Sequence, residues 1–477
     1  MWDNLFPVWL VTRRELRDQI RDWRVLTPLI ILTVFFPILM NEFARMTVNF
    51  LNQYNADLIL DRLVPFSILI IGFFPITVSL VVALESFVGE KERGTIEPLL
   101  SSPLENWQLY FGKLLLGIFT PLLASFLSIV FYLIMAIRQG LAMPPWYIVV
   151  QLLILTTAHA ILMVSAAIVI SVQSTSVKAA NLLASFIVIP VAVLMQGESV
   201  LLFWGNEDVL WLAVAGVTIL ALLLVRVGIA HFQREYLLGR EIDVVNFRWM
   251  WRRFWRHFIG DARSLQDWYR RVISSSLRRL GTPTVLIIVI AFIGIWLGYD
   301  WIMNNFPTAI AKAPPEEIAE FAERARQSPE IMRLRDSISA PYLFMNNTRA
   351  MISILVAGLL SFSVLGILLY LVNISLIGGL FGAFELLGIS PWPLFLAGVL
   401  PHGVFEIPAL IIASAAVLYI GVGLVTPQTG KSMGEVVIEL LADWTKIFIG
   451  IVVPLLAIAA LIEAYITPAI LLATINR

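Results

Sequence analysis

The sequence predicts an all-α polytopic membrane protein made of two consecutive helical bundles. Three observations carry that expectation. Of the 477 residues, 59% are hydrophobic and only 14% are charged, with a mean hydropathy of +0.87. A soluble domain of this size has no interior able to hide that much apolar side chain. The apolar residues come in runs of membrane-crossing length, and arginine and lysine collect in alternate gaps between the early runs. Net charge is zero and there is no cysteine. Bulk charge therefore names no partner, and disulfides, thiolate metal sites and cysteine catalysis are excluded.

The elements follow in order. In residues 1–25, Thr12-Arg13-Arg14-Glu15 reads as a capping box. Leu16, Ile20 and Trp23 share one helical face and arginines occupy the others. This pattern predicts an interfacial helix on the cytoplasmic surface, not a cleavable signal. Apolar runs come next, at about 26–40, 64–86, 110–137, 146–172, 177–196 and 209–230. Arg13, Arg14, Arg17, Arg21 and Arg24 place the N-terminus inside. Lys91, Arg93 and Lys113, then Lys178, then Arg226 also fall inside, while Glu198, Glu207 and Asp208 fall outside. A six-span domain over 26–230 satisfies this rule at each step.

The polar gap from Glu85 to Lys113 reads ESFVGEKERGTIEPLLSSPLENWQLYFGK. Gly94 is expected to stop the preceding helix. Thr95 to Leu100 would form a short transverse helix, and Ser102-Pro103-Leu104-Glu105 would cap the next span. Taken alone, the residues also suit a solvated charged hairpin. The stretch resembles the signature of the type-2 family of ABC transporter permeases, an E-K-E-x-G-T-x-E-x-L-L-x-S-P run followed by G-K. The matching residues are Glu90, Lys91, Glu92, Gly94, Thr95, Glu97, Leu99, Leu100, Ser102, Pro103, Gly112 and Lys113, with Arg93 inside the run. The resemblance implies a six-span exporter-type permease with a coupling loop over 87–105 that sits in a groove of a separate ATP-binding subunit. It further implies two ATPase subunits per complex, and a homodimer of this chain or a pairing with a paralogous permease. In that plan 196–208 would be a re-entrant turn. The expected location is a prokaryotic cytoplasmic (inner) membrane.

Residues 231–282 are rich in arginine and aromatics, most densely in FRWMWRRFWRHF at 247–258. Such interleaving suits single-stranded nucleic acid. With spans on both sides, an interfacial linker fits better, its tryptophans among headgroups and its arginines on lipid phosphates. Membrane lipids are thus expected partners and nucleic acid is not.

A seventh span at about 284–303 leads to a long external loop, 304–348, where Pro314-Pro315 precedes a helix from Glu316 to Arg326 and a second follows from Ile331 to Ile338. This loop is either a solvated cap or a docking surface for an external cell-envelope partner. Further apolar runs lie at about 350–371, 373–389, 394–422 and 448–474, the third interrupted by Pro401, Gly403 and Pro408. That interruption suits a re-entrant segment. Asn346-Asn347, Asn373, Gly378-Gly379, the run Pro401 to Pro408 and the run Ile462 to Pro468 form an ordered series. It resembles the stage II sporulation protein M family, with its N-N, P-H-G-x-x-E-x-P and I-E-A-x-x-T-P elements, over roughly 283–477. That resemblance implies a membrane anchor or scaffold linked to peptidoglycan remodelling.

His402 and Glu406 are one helical turn apart. Ionisable groups in an apolar run require partners. Glu385 and Glu463, with Asn373 as a neutral neighbour, are expected to complete an intramembrane polar cluster. Three chemistries stay open: a structural knot of broken helices, a proton or cation site, and a metal-dependent intramembrane hydrolase. The other histidines, His159, His231 and His257, lie in other regions, so no metal ligand set is expected. Thr429-Gly430-Lys431-Ser432 imitates the end of a P-loop. Val425 stands where its first glycine belongs, and no strand precedes it. The chain is thus expected to have no catalytic residue and to bind no cofactor, with ATP and Mg reaching the complex through the partner ATPase. The expected function is the transmembrane subunit of an ABC exporter. The alternative is a non-transporting mechanotransmission scaffold that couples cytoplasmic ATP hydrolysis to a peptidoglycan-remodelling partner.

Overall fold

A computed structural model describes residues 2–51, 57–95, 97, 101–174, 177–204, 209–232, 247–305, 339–386, 390–426, 431 and 433–475. These residues are predominantly helical, with no strand among them. Ten of the described helices are long and apolar enough to cross a membrane. The chain is an all-α polytopic membrane protein. Its contacts divide it into two units, Met1–Val245 with Val425–Pro427, and Asn246–Leu424 with Gln428–Arg477.

The first unit contains α1 (Trp2–Arg21), α2 (Trp23–Leu51), α3 (Asp57–Glu92), α4 (Asn106–Arg138), α5 (Trp146–Gln173), α6 (Val177–Trp204) and α7 (Val209–His231). Helices α3 and α5 form its centre; Ile68, Ile71, Ile76 and Phe87 of the former and Leu152, Leu155 and Val164 of the latter are fully buried. Lipid tails are as apolar as leucine, so such helices are held by close packing and by hydrogen bonds rather than by escape from water. The serines work in that way: Ser171 Oγ donates to Leu84 O at 2.6 Å and accepts from the amides of Phe87 and Val88 at 3.1 Å.

Two sequence expectations change here. Thr12 caps nothing, because α1 already runs from Trp2; its hydroxyl bonds the Val8 carbonyl at 2.9 Å and the Gly112 carbonyl at 3.2 Å. There is no re-entrant break near Glu198 either. Helix α6 continues through Pro190 to Trp204 and buries Glu198 inside the bundle, while residues 205–208 lie outside the described set.

The second unit begins with α8 (Phe247–Ile259), the short α9 (Leu265–Asp267), a π-helical turn (Trp268–Ile273) and α10 (Ser274–Arg279). It continues with α11 (Gly281–Asn305), α12 (Ala340–Leu360), α13 (Val364–Leu386), α14 (Pro391–Gly398), α15 (Leu400–Val425), α16 (Met433–Ile447), a second π-helical turn (Phe448–Val452), α17 (Val453–Tyr465) and α18 (Thr467–Ile475). The arginine-rich helix α8 splits its duties. Arg253 pairs with Glu435 at 2.9 Å and Glu439 at 2.7 Å on α16, and His257 meets Asp443 at 3.2 Å. Phe247 and Trp251 remain exposed. Only part of this segment is therefore free to meet lipid.

Helices α11 and α13 meet backbone to backbone. A Cβ added at Gly298 would collide with the Ser375 carbonyl, and one at Gly378 with the Ile295 carbonyl. Small residues spaced three or four apart allow this approach. The buried Tyr370 hydroxyl donates to Ile287 O at 3.2 Å across the same pair.

The boundaries of the later spans shift. Helix α12 starts at Ala340, so Asn346 and Asn347 lie within a span and not in the external loop; residues 306–338, including both expected loop helices, lie outside the described set. The break expected at 401–408 falls instead at Val399, before Pro401. Proline in the first turn has no intrahelical N–H bond to lose, and α15 then runs unbroken through Pro408. The run expected at 448–474 starts earlier, in α16, passes through the π-helical turn and breaks at Ile466. Of the P-loop imitation, Lys431 is described, and its ammonium pairs with Glu439 at 2.6 Å.

Candidate functional site

Gly94 ends α3 in the left-handed conformation, at φ +69°. The Thr95 amide then bonds the Glu90 carbonyl at 2.9 Å, which satisfies one of the last carbonyls of the helix. Glu92, Arg93, Gly94, Thr95 and Glu97 are all exposed. Ser101 returns a bond from its amide to Glu97 O at 2.9 Å, one helical turn back. Leu99 and Leu100 lie outside the described residues, as does the side chain of Lys91. Ser102 and Pro103 do not cap the next helix. The N-cap is Glu105, whose amide donates to Gln108 Oε1 at 2.9 Å. The reason is local: Gln108 stands three residues after Glu105 and completes the reciprocal pair.

Beneath this exposed loop lies a buried node. The Lys113 ammonium, with a side chain only 1% exposed, reaches Glu90 at 2.7 Å and Glu15 at 2.9 Å. Its third bond goes to the Ser86 carbonyl at 3.0 Å. All three of its protons are thus used. Gly112 admits α1 alongside, since a Cβ there would sit 2.7 Å from Val11 Cγ1. The G-K pair therefore has a physical account: glycine lets the surface helix approach, and lysine fastens it to the end of α3. Sequence reasoning missed Glu15, which it used up as part of a cap. The available signal was the lysine itself, because a cation at the start of an apolar run requires acidic partners.

The first unit holds a second pair that the sequence did not join. His159 Nε2 on α5 lies 3.3 Å from Glu198 Oε1 on α6, and both side chains are 3% exposed. Thr156, Phe73 and Met195 enclose them. The assignment of Glu198 to an outer gap had hidden this contact.

In the second unit the separated motifs converge. His402 and Glu406 on α15 meet Glu463 on α17, with one donor atom from each lying within 4.8 Å of the others. Thr467, at the start of α18, places its hydroxyl 3.2 Å from His402 Nδ1. The side chain of Asn347 on α12 lies near Glu406. Two expected members are absent from the cluster. Glu385 accepts a bond from Tyr299 Oη at 2.8 Å, and Asn373 bonds its own helix at Leu369 O. The glycine seam accounts for Glu385: it brings Tyr299 of α11 beside the end of α13, where Gly382 rests against the Tyr299 carbonyl.

Residues 9–204 match the ABC-2 family transporter protein model, and residues 284–468 match the stage II sporulation protein M model. Two stretches of the polypeptide thus match two different family models, and the first supports a permease-like membrane component. It is also similar to an uncharacterized protein of Methanocaldococcus jannaschii, at 27% identity over 188 residues, covering 39% of this chain and 95% of that protein. No solved structure matches.

Proposed function

We propose that this chain is the transmembrane subunit of an ABC exporter, driven by separate ATPase subunits that dock on Glu90 to Ser102. The observation that carries the reading is the buried Lys113 node directly under an exposed loop, within a segment that matches a transporter family. A push on Glu92 to Glu97 would enter α3 through Glu90 and reach α1 and α4 through Lys113. Closure of two ATPase subunits on a pair of permease chains would then switch the spans between inward- and outward-facing arrangements. ATP and Mg bind the partner in this scheme, and the N-terminus and the loop face the cytoplasm of a prokaryotic inner membrane. Replacing Arg93 and Glu97 with residues of opposite charge is expected to abolish co-purification of the ATPase. ATP hydrolysis by the purified chain alone would overturn the assignment.

A second reading rests on the fused segment at 284–468. Here the ATPase stroke serves a cell-envelope partner and nothing is transported. Proteoliposomes holding the complex separate the two readings: ATP-dependent movement of a lipid-like or amphipathic cargo supports export, whereas hydrolysis without any cargo movement supports the relay.

A further inference from the structure

The donor atoms of His402, Glu406 and Glu463 lie within 4.8 Å of one another. A first-row divalent ion with bonds of about 2.0–2.2 Å holds its ligand atoms roughly 3–3.5 Å apart. Closing the set requires the donor atoms to draw together by roughly 1–2 Å. Charge points the same way. The trio sits on helices apolar enough to cross a membrane, and among the described residues no lysine or arginine pairs with Glu406 or Glu463. Two carboxylates this close in a low-dielectric region repel each other and keep little hydration. A dipositive ion cancels both charges, whereas a monovalent ion would leave one. The imidazole argues against magnesium and calcium, which favour all-oxygen sites, and for the later first-row metals. The surroundings also suit a metal. Thr467 engages His402, and Asn347 lies near Glu406; outer contacts of this kind hold ligands in their coordinating orientation.

We infer that His402, Glu406 and Glu463 bind one divalent transition-metal ion of the zinc class. Three protein donors leave an open coordination position on that ion. The ion ties α15 to α17. The set needs no second histidine, since two carboxylates and one imidazole are sufficient. The inference does not depend on the transport reading, and either can fail without the other.

The test uses the full-length protein in detergent, stripped with EDTA and dialysed against Zn²⁺. Elemental analysis is expected to find about one ion per chain. Glu406→Gln and Glu463→Gln keep the side-chain shape and should each lower that occupancy roughly tenfold or more. Glu385→Gln should leave it unchanged. If the glutamine variants fail to fold, Co²⁺ loaded into the unaltered protein decides the matter: a visible d–d absorption band of nitrogen and oxygen coordination, bleached by added Zn²⁺, supports the site. No ion above background in the unaltered protein overturns it, as does a metal content indifferent to both substitutions. A cluster that merely shares a proton would give the first of those results.

Discussion

The two units solve the problem of a charge inside a helical bundle in opposite ways. In the first, a single lysine stands between two glutamates and spends all three of its donors on groups of the same chain. In the second, two glutamates and a histidine converge beside the neutral Asn347 and Thr467, and among the described residues no lysine or arginine pairs with either glutamate. The first arrangement suits a fastener, because its cohesion is greatest when nothing is added. The second is a receptor for positive charge, because it is most strained when nothing is added. Geometry alone does not distinguish them, since both are compact, partly buried groups of three. The sign of the central charge does.

Removing that central charge gives the largest expected effect. Lys113→Met leaves Glu15 and Glu90 facing each other without a cation. Breaking such a pair costs about 3 kcal/mol, at the lower end of the range for buried pairs because both glutamates keep some contact with water. A lowered unfolding midpoint in detergent, with ATPase co-purification lost as well, would be the signature. An unchanged midpoint would show that the node carries no load.

Next comes Gly112→Ala, which inserts a methyl group against Val11 where a Cβ would lie 2.7 Å away. Overpacking of this kind costs about 2 kcal/mol. Limited proteolysis should cut α1 sooner, and metal content should stay unchanged.

The sharpest contrast uses one substitution in two places. Glu90→Gln weakens a charge-assisted bond and should destabilise by about 1 kcal/mol. Glu406→Gln in EDTA-treated protein removes a like-charge encounter and should stabilise by about 1 kcal/mol. Equal signs in the two unfolding curves would erase the distinction drawn above. The smallest effect belongs to Glu385→Gln, at an exposed site outside the trio, where the unfolding midpoint should not move.

Much of the fold was legible because lipid imposes a simple length rule. Most of the apolar runs expected from the sequence appear as helices, and Gly94 ends α3 as its lack of a side chain predicts. Interruptions were harder to read. Pro401 and Pro408 read as breaks, yet one lies in a first turn and the other inside a continuing helix, while the actual break is at Val399. Partner choice was harder still. His402 and Glu406 are neighbours by helical spacing, so their pairing was readable. Which distant acid approaches them depends on how α13 and α17 pack: Glu463 lies beside them, while Glu385 accepts a bond from Tyr299. Glu15 and Glu198 were missed for a related reason: each had a satisfactory local role, as a cap or as an outer loop, that drew attention from its long-range contact.

The approach of α11 to α13 has a thermal consequence. Between Gly298 and Ser375, and between Gly378 and Ile295, the gap is narrower than a methyl group, so neither detergent nor acyl chains can wedge into it. Solvent exchange that loosens side-chain-packed helices finds no foothold there. These two helices should be the last to separate on warming, with amide protons around Gly298 and Gly378 exchanging after all others in their unit.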